Sequence, residues 1–154
     1  MFPELEKYLR ELAGKAKAKG KNKSEGAAIE AAGAVLVGAT ILFHTGNDDK
    51  DGDTRLEAFL NKAGNVEAAY SGFVYGHFED GSFHPVQLRP KSNLMSKSEI
   101  PGSFIRVHIQ PNGNDRWVFE QVPVELNFSD GTFYRKSFGF VTLTQDTNQM
   151  DFFL

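Results

Sequence analysis

Four carboxylates and an amide crowd into the run Asn47-Asp48-Asp49-Lys50-Asp51-Gly52-Asp53, between two apolar segments. In an extended loop, side chains two apart fall on one side, so Asn47, Asp49, Asp51 and Asp53 can converge while Asp48 closes the shell or points away. A hard divalent ion takes about six to eight oxygens at roughly 2.3 to 2.6 Å, and Gly52 suits the tight turn that would wrap a short loop around one. Calcium is the ion this chemistry predicts. Counted from Asn47, acidic residues at the third, fifth and seventh positions and Gly at the sixth follow the EF-hand loop. The twelfth position is Ala58, where an EF-hand needs a bidentate Glu, and the flanks read as strands rather than helices. The competing reading is a solvated acidic turn whose Asn, Asp and Gly serve turn chemistry alone.

Other chemistry is thinly represented. His77 and His84 flank the turn between Phe78 and Phe83, with His44 or His108 as a conceivable third ligand, but a zinc site needs at least three. Half-exposed strand histidines are the plainer expectation. No Gly-x-Ser-x-Gly elbow, phosphate loop or His-Glu-x-x-His motif occurs, and Glu79 and Asp80 sit in a turn where solvation leaves no reason for a shifted acid. A non-enzymatic protein is the expectation. With no Cys there is no disulfide framework, thiol nucleophile or thiolate metal site.

The elements that must hold these residues are strands. A chain of 154 residues with 14 Phe, four Tyr and one Trp, spread over short segments between Gly, Asn, Asp and Ser clusters, has the composition of an all-β domain. Strands are predicted near 39–45, 54–61, 66–78, 83–88, 103–110, 117–127, 132–144 and 149–154. Glu79-Asp-Gly-Ser and Ser129-Asp-Gly read as hairpin-type turns, and Pro111-Asn-Gly-Asn-Asp as a longer polar one. Phe104, Arg106, His108 and Gln110 share one side of a strand, with Ile105, Val107 and Ile109 on the other. Eight short strands without intervening helices predict an antiparallel β-sandwich over 35–154. Trp117 and most Phe are expected in its core; Phe73 and Tyr75, which share a face in a strand that also carries Tyr70, and the closing Phe152-Phe153 could contribute to a binding surface, with burial the preferred expectation.

Residues 1–34 differ. Leu5, Tyr8, Leu9 and Leu12 form one stripe of a short amphipathic helix over 2–14, followed by a lysine-rich linker over 15–23 and an Ala/Gly-rich stretch from Gly26 to Gly38. Residues 1–25 hold seven of the 17 Lys/Arg but only four of the 20 Asp/Glu, so the remainder is acidic and argues against nucleic acid as the main partner. The basic tail suits anionic lipid or acidic protein surfaces. The apolar run from Ala31 to Phe43 is shorter than the roughly 20 residues a spanning helix needs, and no standard secretion signal is evident. An extracellular or membrane-associated setting fits best.

The strand Thr40 to Thr45, the acidic turn, the strand Thr54 to Leu60 and the later Trp117-Val-Phe-Glu-Gln-Val122-Pro-Val124 resemble the PLAT (lipoxygenase homology) family and similar calcium-binding β-sandwiches. The resemblance covers roughly 39–154. It implies a binding module that steers a protein to membranes or protein partners, often with calcium. Pro123 departs from the pattern by interrupting a predicted strand, which implies an edge or a bulge, and residues 1–34 have no counterpart. On such a sandwich Asn112, Asn114 and Asp115 would supply further oxygens, though a plain turn explains them equally well. A dication there would neutralise the tip and bridge to a lipid phosphate. Asp80 and Asp130 belong to Asp-Gly turns and stay outside the site. The expected function is thus calcium-dependent targeting to membrane lipid or a protein partner. The alternatives are a carbohydrate-binding module with structural calcium, and a membrane-active toxin or effector component acting through residues 1–38.

Overall fold

The structure, a computed structural model, describes residues 33–113 and 115–154. The predicted helix, the lysine linker, Asn114 and most of the segment invoked for membrane activity lie outside the described residues. The described chain is all-β, with nine strands and a single 3-10 turn at Lys97–Glu99. In order the strands are β1 (Leu36–Asp48), β2 (Arg55–Lys62), β3 (Val66–Tyr70), β4 (Phe83–Pro90), β5 (Phe104–Gln110), β6 (Arg116–Phe128), β7 (Phe133–Phe138), β8 (Val141–Thr144) and β9 (Gln149–Phe153).

The path of neighbours runs β7-β6-β1-β4-β3-β2-β5-β9, and β8 also pairs with β6. Every pairing is antiparallel. Strand β4 joins the two halves, pairing with β1 through Phe83 to Leu88 and with β3 only at Arg89 and Pro90. Inward residues alternate as a two-sided sheet requires: Ala39, Ile41 and Phe43 from β1, Leu56, Ala58 and Leu60 from β2, Ile105, Val107 and Ile109 from β5.

Strand β6 changes parity. Trp117 and Phe119 face the core, and after Glu120 and Gln121 the even positions Val122, Val124, Leu126 and Phe128 do so. The register with β1 shifts at the same place, from His44 opposite Gln121 to Thr45 opposite Phe119, which makes Glu120 the extra residue of a β-bulge. The bulge divides β6 between partners, β8 below it and β7 above it, and so the single predicted strand over 132–144 breaks at Gly139–Phe140. Pro123 does not put β6 at an edge, for β6 lies between β1 and β7; instead the β1–β6 pairing lapses between Val124 and Gln121, where proline can offer no donor. The strand predicted over 66–78 ends at Tyr70, because Gly72 takes φ 76° and turns the chain out of the ladder.

The Asp-Gly turn between β6 and β7 shows how these ends are fastened. Asp130 accepts hydrogen bonds from the Thr132 hydroxyl and amide and pairs with Lys97, which together hold its carboxyl down at about 2 from the model-peptide 3.8. A carboxyl more acidic when folded contributes stability above pH 3.8 that is lost as pH falls through about 2. Since the Asp130 side chain is 35% exposed, solvent screening leaves about 1 kcal/mol of this at neutral pH. Asp130→Asn should therefore lower stability by about that amount at neutral pH and by much less near pH 2, as measured by urea unfolding across pH.

Candidate functional site

The acidic run spans the last residues of β1 and the connection to β2. The β5–β6 connection, around Asn112 and Asp115, packs against it, and so does the segment 71–78 that follows β3. Lys50 and Phe78 exchange two backbone hydrogen bonds, as do Leu56 and Val74, and the Gly76 amide donates to the Gly52 carbonyl. Segments far apart in sequence thus meet at one end of the sandwich.

The carboxylates do not converge on one point. Asp48, still within β1, pairs with Arg116 at 3.3 Å, and Asp49 binds the Nε2 of His77. Asp53 accepts from the Asn112 amide at 3.1 Å, while Asn47 and Asn112 are exposed. Asp115 is buried and turned inward, accepting from the Asp51 amide at 3.1 Å and from the Thr54 hydroxyl. Of the residues expected to form the cation shell, Asp53 meets Asn112 and Asp51 meets Asp115, and repulsion by Asp115 raises the Asp51 carboxyl above its ordinary value. Gly52 does not adopt the left-handed backbone, and a side chain there would meet only the His77 amide at 3.8 Å, so this turn does not demand glycine.

At the centre lies Lys50, a residue the sequence reading passed over. Its side chain is fully buried. Its Nζ donates to the Thr54 carbonyl at 2.8 Å and to the Asp51 carbonyl at 3.1 Å, and lies 4.7 Å from the centre of the Phe78 ring. Burial lowers its pKa, while Asp115, Asp51 and Asp53 oppose that shift by favouring the charged form. The signal available in sequence was a lone base between Asp49 and Asp51.

The histidines go to separate partners. His84 stacks on Phe78 at 4.1 Å and is held less basic than usual by burial. His77 is held more basic by its bond to Asp49. His44 stacks on Phe83 at 4.2 Å, and His108 lies 4.0 Å from Glu57. Among the described residues, no three His, Asp or Glu side chains are grouped as a metal centre would need.

Beside the loop stands an aromatic ledge. Val74 turns inward against Leu56, and the alternation sends Phe73 and Tyr75 outward, 58% and 60% exposed, contrary to the burial expected of them. The Arg55 guanidinium lies 4.1 Å from the Phe73 ring centre and donates to Gln110. Tyr75, Asp53, Arg55, Gln110, Pro111 and Asn112 line an open cleft of about 350 Å³. A further exposed aromatic, Phe140, marks the β7–β8 break near Glu120, on a different part of the surface.

No family model matches this chain, and no curated protein matches it. Three solved structures of LOX variants are similar to it over 78% of its length, two at 16% identity and one at 17%, with TM-scores of 0.43, 0.44 and 0.43. The chain spans 16% of the length of each LOX chain.

Proposed function

We propose that this chain is a non-catalytic targeting module of PLAT-like type that docks on a membrane surface through the Phe73–Tyr75 ledge. The observation that carries the reading is the exposure of these two rings on a segment pinned by its inward neighbour Val74. An aromatic with an apolar body and, in Tyr, a polar tip suits the boundary between headgroups and acyl chains. Fully burying such a side chain contributes about 1.5 to 3 kcal/mol, so two rings support weak, reversible attachment. Asp49, Asp51 and Asp53 lie close by, and a charge near an anionic leaflet is worth about 1 kcal/mol, so the tip should favour zwitterionic over anionic lipid. A dication bridging these carboxylates to lipid phosphate would reverse that preference.

Vesicle co-sedimentation tests this. Wild type should partition onto phosphatidylcholine vesicles more than onto phosphatidylserine vesicles, and Phe73→Ser/Tyr75→Ser should weaken partitioning about tenfold or more. Undiminished binding by the double variant would sink the reading. Preference for phosphatidylserine that appears only with calcium would support the bridging mechanism in its place. A second reading, glycan recognition, is favoured by the cleft beside Tyr75, where a carboxylate, a guanidinium and two amides surround an exposed ring. A glycan array in which Tyr75→Ala and Asp53→Asn both abolish the signal would establish it.

A further inference from the structure

We propose that the Lys50 ammonium is the resident cation of the acidic loop, so that the loop closes around a side chain of its own instead of a metal ion. This stands independently of the membrane reading, for it concerns how the tip is built and not what the tip binds.

The donor set that a loop of this kind would offer a calcium ion is already engaged. Calcium needs about six to eight oxygens, backbone carbonyls and carboxylates among them. Here the Thr54 and Asp51 carbonyls both accept from Lys50 Nζ, at 2.8 and 3.1 Å. Asp115, the buried carboxylate of the cluster, accepts from the Asp51 amide and the Thr54 hydroxyl. The remaining side of the ammonium faces the ring of Phe78, a surface that attracts a cation but donates no oxygen lone pair. Asp48, Asp49 and Asp53 point instead to Arg116, His77 and Asn112. A dication entering the centre would have to displace an ammonium that is fully buried and meet the aromatic face behind it.

The Lys50 backbone is tied into the same arrangement. Its amide and carbonyl exchange hydrogen bonds with Phe78, and Thr54 N–H donates to the Asp51 carbonyl. Lys50 therefore joins the acidic loop to segment 71–78, which carries Phe73 and Tyr75, alongside the Gly76–Gly52 and His77–Asp49 contacts. The shape of the tip is set by the covalent chain and does not wait on a metal concentration.

The test is melting and calorimetric titration of chelator-treated wild type, with Lys50→Met beside it. Wild type should melt at the same temperature in millimolar calcium and in chelator, and give no saturable heat. Lys50→Met keeps the apolar stem but takes the Nζ donor from the Thr54 carbonyl and leaves the buried Asp115 carboxylate without the nearby positive charge, and should melt about 10 °C lower. Calcium that raises the wild-type melting temperature, or saturable calcium binding lost in Asp51→Asn/Asp115→Asn, would overturn the proposal. An unchanged melting temperature for Lys50→Met would do the same. The wild-type measurements decide the matter even where that variant does not fold.

Discussion

Trp117→Ala should cost about 3 to 5 kcal/mol of stability, a large share of the roughly 5 to 15 kcal/mol by which a domain is stable. The indole is fully buried, with ring centres of Phe119, Phe43 and Phe78 at 4.6, 4.9 and 5.4 Å. Phe43 and Phe119, held in β1 and β6, cannot collapse into the void, so the cavity cost adds to the lost transfer energy. Its Nε1 also donates to the Thr45 hydroxyl, which is itself buried and would lose that partner. The damage should reach the tip. Phe78 meets Trp117 edge-to-face and has the Lys50 ammonium over its ring, so loosening it loosens the acidic loop. Urea unfolding should show the loss in global stability, and hydrogen exchange should show faster exchange at Lys50 and Phe78 than the global change alone requires. Trp117→Phe retains most of the apolar area and should cost less than half as much. A loss below about 1 kcal/mol for the alanine variant would mean that this aromatic cluster does not anchor the core.

The all-β class was legible because it rests on local signals. Alternation in Phe104–Gln110 fixes which side of β5 is buried, and Ile105, Val107 and Ile109 are indeed enclosed. Asp-Gly turns were readable for the same reason, with Gly81 and Gly131 at positive φ. The site was only half legible. That Asn47 to Asp53 concentrates acidic charge follows from composition. That Lys50 lies buried within it depends on Phe78 and Thr54, and the carboxylate beside Thr54 comes from Asp115, 61 residues away. Lys50 was overlooked because a lysine among aspartates is ordinarily a solvated one, whereas here the Thr54 and Asp51 carbonyls and the Phe78 ring surround its ammonium. Phe73 and Tyr75 were misplaced for a related reason. A strand running to residue 78 would have enclosed them, whereas the chain leaves the ladder after Tyr70 and returns through isolated bridges at Val74 and Phe78. The break between β7 and β8 was equally out of reach, since it follows from the bulge at Glu120 on a different strand.

Arg135→Met should cost about 3 kcal/mol, although the arginine sits on an edge strand. Its partner explains why. Glu125 of β6 is fully buried on the side of the strand away from Val124 and Leu126, and accepts from Arg135 Nε at 2.6 Å and from the Asn127 amide at 3.1 Å. Losing the guanidinium leaves a buried carboxylate to a neutral amide, and an uncompensated buried charge costs about 3 to 5 kcal/mol. Side-chain exposure of 31% at Arg135 places the expected value at the lower end. The attraction itself does not set the cost, because desolvating both ions offsets most of it. Replacing both partners with apolar residues, Glu125→Leu with Arg135→Met, should therefore restore stability to within about 1 kcal/mol of wild type. A double-mutant cycle by urea unfolding separates the two terms. Recovery in the double variant would show that the pair serves to make Glu125 tolerable and to hold β7 in register with β6. A double variant as unstable as Arg135→Met alone would show that Arg135 stabilises through its packing, including the Phe133 ring 4.3 Å away, and not through the charge it neutralises.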